Sequence, residues 1–282
     1  MRAPVTRIVT SDALDSVPET MLWNLHHRAA EARRPDAVLA DPLGVELADR
    51  LAPRLERRFG VAHPLLAQAQ ALRALRFDQE VLRFVEFNPD GTVVALGEGL
   101  ETQFWRVDNG RVQWLSVDLE AGIDARAASL PSSERLRSAA GSALDERWID
   151  EVDQTRGVLI TAQGLLMYFQ PDQARGLVAG CARRLPGAWM VFDVVEPWFS
   201  QRTVSGLRNT AGYRAPPMPW SVDARECVRL ADLPAVASLE RLRFPRGRGL
   251  FFGVAAPIAR GRLPRPLRYL IPWTILRISF AR

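Results

Sequence analysis

The chain has 282 residues, 48% apolar and 24% charged, a size and balance suited to one α/β domain with decorations. Its two cysteines, Cys181 and Cys227, exclude a disulfide framework and a cysteine-rich metal site, and three histidines, two of them adjacent, give no basis for a histidine-built one. Every basic residue is arginine, and ten of them fall from Arg241 onward without one acid, so the rest of the chain is net acidic and the overall charge of +5 does not argue for a nucleic-acid partner.

Residues 11–85 read as helical, opening on Ser11 as a cap and Pro18 near a helix start. Met21, Leu22, Leu25 and Ala29 form one apolar face, Leu43, Leu47 and Leu51 a second, and Leu65, Leu66, Ala69, Leu72 and Leu75 a third. This predicts a helical lid over residues 1–90, closed by the turn Asn88-Pro89-Asp90-Gly91. A buried strand is expected at 92–96, then Gly97-Glu98-Gly99, a helix from 100, and a strand at 113–118 ending on Asp118. A short helix leads to Gly141-Ser142-Ala143-Leu144. Strand 157–162, a helix from Pro171 to Leu185 and strand 188–194 complete an alternation that implies right-handed crossovers and a mostly parallel sheet. Cys181 falls on the apolar face of that last helix and reads as core packing.

Ligands of such sheets sit at the carboxyl ends of the strands, where Gly97, Asp118, Ser142, Gln163 and Asp193 fall. Residues 196–226, rich in proline and aromatics, read as a cap over that edge. Ala237 to Phe244 and Gly249 to Ala255 read as two closing antiparallel strands, so 91–256 forms the core of a single domain. Residues 257–282 read as a basic, apolar arm. Its acid-free stretch 263–280 is expected to pack on its own domain, on a partner subunit or peripherally on an anionic membrane, with Pro272 interrupting any long helix. No apolar run approaches the ~20 residues of a membrane span, and the N-terminus lacks a signal-peptide core, so the expectation is a cytoplasmic protein of open oligomeric state.

A buried strand, a glycine turn, a helix and a second strand ending in a carboxylate form the first half of a nucleotide-type cofactor site. The glycines let the backbone approach a ligand, and Asp118 offers acceptors to a ribose diol. A dinucleotide fingerprint needs a third glycine where this chain has Thr102. The turn therefore suits an adenosine cofactor without a pyrophosphate, S-adenosylmethionine (SAM), and disfavours a nicotinamide-linked oxidoreductase.

The blocks Arg28-Ala29-Ala30-Glu31, Asp41-Pro42-Leu43, Leu96 to Thr102, Val117-Asp118-Leu119 and Gly164-Leu165-Leu166-Met167-Tyr168 resemble the leucine carboxyl methyltransferase family, most closely its bacterial branch of tetracenomycin-type polyketide O-methyltransferases. The resemblance implies a class I SAM-dependent methyltransferase, Rossmann-like, with a helical N-terminal lid and no metal. It matches Arg73 to the arginine that pairs with the methionine carboxylate, Gly97, Glu98 and Gly99 to the cofactor turn, and Asp118 with Leu119 to the ribose acid. Ser142, Ala143 and Leu144 match the adenine-lining segment, and Gln163 with Gly164 the end of the next strand. Two departures stand out: Gln163 replaces a family glutamate, losing a negative charge, and Glu101-Thr102-Gln103 replaces Asp-Thr-Arg.

The expected activity is O-methylation of a carboxylate or hydroxyl on a small, polyketide-like acceptor, leaving S-adenosylhomocysteine. The alternative is a non-catalytic relative that keeps the fold, or only SAM binding, and acts as a binding protein. Tyr168, Tyr213 and Trp220 are the candidate acceptor contacts. The sequence nominates no catalytic base, since His26, His27 and His63 all fall in the lid and read first as packing or surface residues.

Overall fold

The computed structural model describes residues 19–207, 213–255 and 270–282. The expected cap at Ser11 and helix start at Pro18, and positions 263–269 of the C-terminal stretch, lie outside these. Four helices open the described chain: α1 (Glu19–Ala32), α2 (Pro42–Arg50), α3 (Ala52–Phe59) and the long α4 (Pro64–Phe87). Proline stands in the first turn of α2, α3 and α4, where its missing N–H costs no helical hydrogen bond. The Asp41 carboxylate caps α2 by accepting from the Gly44 N–H.

A seven-stranded sheet follows, in the order β3-β2-β1-β4-β5-β7-β6. Its strands are β1 (Thr92–Leu96), β2 (Gln113–Asp118), β3 (Leu136–Ala140), β4 (Val158–Ala162), β5 (Trp189–Val195), β6 (Val236–Leu242) and β7 (Trp273–Phe280). The first five pair in parallel, and β7 runs antiparallel between β5 and β6. β1 and β4 are buried on both faces, which is why they read as unbroken apolar runs. Helices α5 (Gln103–Val107), α6 (Glu120–Ser129), α7 (Pro171–Arg184), α8 (Pro197–Val204) and α9 (Ala224–Ala231) complete the fold.

Alternate residues of each strand feed two cores. On one face Phe77, Val81 and Phe84 of α4 pack with Val93, Trp114, Leu159 and Val191. On the other, Leu177, Val178 and Cys181 of α7 pack with Val94, Leu115, Ile160 and Phe192. A third cluster joins α1, α2 and α3 to Leu100, beside the first glycine turn, through Leu25, Leu47 and Phe59.

Two sequence expectations are corrected at the far edge. Gly249–Ala255 is not a strand; the chain turns helically there, and Phe252 is buried against Ala69 and Leu72 of α4. The strand that closes the sheet is 273–280, part of the stretch read as a C-terminal arm; of its expected settings it takes the one on its own domain, as a strand within the sheet. Pro272 precedes it, at a strand start where a missing N–H breaks no ladder bond, and its carbonyl accepts from the Glu196 N–H. Ile275, Leu276, Ile278 and Phe280 lie inside the protein, so this part of the stretch is sheet interior and is not available to cover a membrane or a partner.

Candidate active site

At the end of β1 the chain reverses through Gly97 (φ 61°) and Gly99 (φ 52°), both in the left-handed region that costs other residues about 1–2 kcal/mol. Space demands glycine here too. A Cβ on Gly97 would stand 2.8 Å from Leu165 Cδ1, and one on Gly99 2.9 Å from Met21 Cγ of the lid. The Gly99 N–H donates to Asp118 Oδ2 and the Leu119 N–H to Oδ1, each at 2.8 Å. Burial pushes the Asp118 carboxyl up, against the pull of these two N–H groups and of Arg126.

A cavity of about 360 Å³ opens over this turn. Gly97, Glu98, Gly99, Asp118, Leu119, Ser142, Ala143, Gln163 and Gly164, all nominated from the sequence, wall it together with Met21, Asn24 and Arg28 of the lid. Leu144 does not: its side chain packs against the core on the α7 face of the sheet, while its N–H donates to Ser142 Oγ. A second cavity, of about 420 Å³, adjoins the first through common walls at Thr20, Asn24, Gly164 and Tyr168. Trp23, Phe199, Tyr213, Met218 and Trp273 give it an aromatic, apolar lining, with Tyr213 stacked on Trp23 at 4.7 Å. Trp220 lines neither. It is 1% exposed, stacks on Phe192 and donates from Nε1 to Glu226 Oε1, so its role is packing.

Arg73, nominated for the cofactor, walls the second cavity and not the first, beside Gly164, which walls both. Its Nε pairs with Asp193 at 2.9 Å, its Nη1 donates to Gln70 Oε1 at 3.0 Å, and its guanidinium lies 5.1 Å from the Trp273 ring centroid. Nη2 is buried without a hydrogen-bond partner, 2.5 Å from where a Cβ on Gly164 would be. Across Gly164, Gln163 Oε1 is likewise buried and unpartnered. An orphan donor and an orphan acceptor thus flank one glycine, a complement to an α-amino-acid zwitterion. With Asp118 walling the cavity, each of its oxygens held by one backbone N–H and keeping a lone pair for a ribose, and two glycines where a side chain would intrude, these residues fit SAM.

Beneath the turn lies a buried charge network that sequence reasoning missed. Arg28 donates to Asp41 and Glu101 at 2.7 and 2.8 Å, and Arg106 to Glu101 and Asp78, both at 2.7 Å. Thr102 Oγ1 donates to Asp41, and Gln103 Nε2 to Asp78. The helix α5 opens on Gln103, and the guanidinium that meets both carboxylates stands one turn on at Arg106. Burial would raise the Asp41 carboxyl, yet the guanidiniums of Arg28 and Arg106 hold it at about 2. Arg28, Asp41, Glu101 and Thr102 stand in the blocks that carry the family resemblance, but nothing in the sequence shows that they meet.

The tyrosines and histidines differ in station. Burial pushes the Tyr168 hydroxyl up to about 12, so it stays a protonated donor beside both cavities. His26 and His27 pack with Phe59 and Trp23, and His27 Nδ1 bonds the Trp23 carbonyl at 3.0 Å. His63 lies on the wall of the second cavity.

Comparison with known proteins follows the same lines. The family model described as leucine carboxyl methyltransferase matches residues 22–182. The tetracenomycin polyketide synthesis O-methyltransferase TcmP of Streptomyces glaucescens is 31% identical over 186 residues, 66% of this chain and 68% of that protein. Among solved structures, a possible exported protein from Bordetella parapertussis superposes over the whole of both chains with a TM-score of 0.54 at 14% identity. Human N-acetylserotonin methyltransferase in complex with SAM covers 95% of this chain and 69% of its own, with a TM-score of 0.48 at 10% identity.

Proposed function

Because the chain belongs to the leucine carboxyl methyltransferase family and is a SAM-dependent methyltransferase, we propose that it methylates an oxygen, carboxylate or hydroxyl, of a small, flat, polyketide-like acceptor. The observation that carries this reading is the pair of adjoining cavities, one built on the glycine turn and Asp118, the other aromatic and joined to it at Gly164 and Tyr168. The resemblance to TcmP supports oxygen as the acceptor atom.

Bound SAM supplies an activated methyl on a positive sulfur, open to in-line displacement. Asp118 would hold the ribose, and Arg73 the amino-acid carboxylate, by a charge-assisted hydrogen bond from Nη2, the nitrogen that Asp193 and Gln70 leave free. Trp23, Tyr213 and Phe199 would hold the acceptor by aromatic contact and exclude water, so much of the rate would come from orientation and desolvation. Tyr168, kept protonated, would donate to an acceptor oxygen and orient its lone pair. A carboxylate acceptor arrives ionised and asks for no base, whereas a hydroxyl acceptor would call on one, and His63 is the histidine that walls the second cavity.

Calorimetric titration with S-adenosylhomocysteine tests the cofactor half: saturable binding is expected, weakened at least tenfold by Asp118→Ala. Methyl transfer from labelled SAM to a panel of aromatic acids and phenols tests the other half. A product labile to mild base is an ester and a stable one an ether. No binding by the folded wild-type chain would overturn the cofactor assignment.

A further inference from the structure

The second cavity has a polar wall whose hydrogen bonding runs in one direction. Gln70 stands on α4 one turn before Arg73, and both side chains wall the cavity. Arg73 Nη1 donates to Gln70 Oε1 at 3.0 Å. A guanidinium can only donate, so Oε1 must face it; the opposite amide orientation would set two donors against each other. Gln70 is thereby held with Nε2 turned away from Arg73, and Nε2 meets no protein acceptor among the described residues. Unlike Arg73 Nη2 it is not sealed inside the protein, because the cavity that Gln70 walls gives access to it. The carboxylate behind Arg73 cannot serve a ligand here: Asp193 is 0% exposed and is engaged by Arg73 Nε and the Gly164 N–H. Tyr168, kept protonated by burial, adds a second donor.

We propose that Gln70 is a specificity-determining residue of the second cavity and selects acceptors that carry a ring carbonyl, a ketone or quinone oxygen, on the edge facing α4. Such an oxygen only accepts, which is what an amide nitrogen fixed by Arg73 requires. A hydroxyl in its place would bring a hydrogen of its own to a side chain whose acceptor is already engaged. A bare ring edge would strip water from Nε2 and put nothing back, a loss that reads as about tenfold in affinity. The guanidinium that would hold the cofactor thus also sets the amide that reads the acceptor.

The inference rests on the flat-acceptor reading above, and its test separates the two. Anthraquinone-2-carboxylate and anthracene-2-carboxylate share outline and charge and differ in their ring carbonyls. Each is titrated, in the presence of S-adenosylhomocysteine, into the full chain and into Gln70→Glu and Gln70→Met. The wild type should prefer the quinone about tenfold. Gln70→Glu still accepts from Arg73 but has no N–H to offer, and repulsion from its charge falls on both probes alike, so the preference should shrink to about twofold or less. Gln70→Met, which keeps the length of the side chain without its polar atoms, should lose the preference too. A purely structural role for Gln70 would shift both affinities together and leave their ratio unchanged. Equal binding of the two probes by the wild type, or a preference that survives in either folded variant, would overturn the inference and leave the flat acceptor in place. Binding of neither probe by the wild type would overturn the flat-acceptor reading and this inference with it. Should one variant fail to fold, the wild-type ratio and the other variant still decide.

Discussion

Gly122 stands in the first turn of α6, where a Cβ would come within 2.6 Å of Asp118 Cγ. Alanine in a helix is favoured over glycine by about 1 kcal/mol, so Gly122→Ala should help the helix while pushing the carboxylate away from the N–H groups of Gly99 and Leu119. The expected outcome is a split: S-adenosylhomocysteine affinity falls tenfold or more by calorimetry, while the melting temperature moves by no more than a few degrees. Equal loss of both would mean that Asp118 holds the turn and not the ligand. At this scale the sequence was informative where backbone chemistry demanded one residue type, as at Gly97, Gly99 and Asp118. It misled at Trp220 and Leu144, because nothing in a single sequence distinguishes an aromatic ring or leucine that lines a cavity from one that fills a core.

Helix α1 carries both the apolar face that packs the lid and the polar residues that meet the cofactor turn. Its His27 is 2% exposed and its ring lies 4.1 Å from that of Trp23. Burial lowers its pKa from 6.5 to about 4, against the Trp23 carbonyl bond that raises it, so the folded lid keeps this imidazole neutral. Above pH 6.5 folded and unfolded chains agree. As pH falls from 6.5 to 4 the unfolded chain takes up a proton that the folded one refuses, and stability drops, by about 3 kcal/mol at most. In His27→Phe, which keeps a ring against Trp23, that part of the decline should vanish from denaturant midpoints measured between pH 7 and pH 4. An identical slope in both proteins would mean that the imidazole is accessible in the folded state. Elements with strong periodicity, α1, α4, α7, β1 and β4, were legible. β3 was not, because Leu136-Arg137-Ser138-Ala139-Ala140 is a half-exposed edge strand without an apolar run.

For the molecule as a whole, the position of β7 matters most. It completes the sheet between β5 and β6, and β6 has no other strand neighbour among the described residues. Ile275, Leu276, Ile278 and Phe280 are each buried, and at about 1.5–3 kcal/mol per buried side chain their loss rivals the stability of a typical domain. A chain ending at residue 271 should therefore fail to give a cooperative thermal transition or native far-UV circular dichroism. A truncated protein that melts like the full one would return these residues to a surface arm. The misreading has a physical origin: an acid-free, arginine-bearing apolar stretch after a proline has the same composition whether it covers a surface or lies within a sheet. Thr20, Asn24, Gly164 and Tyr168 are walls of both cavities. Where two ligands press on the same residues from opposite sides, their binding equilibria are linked, and each must change the other's affinity by the same factor. With cofactor and acceptor in the two cavities as proposed, their synergy or antagonism would pass through these four residues and be measurable from either side.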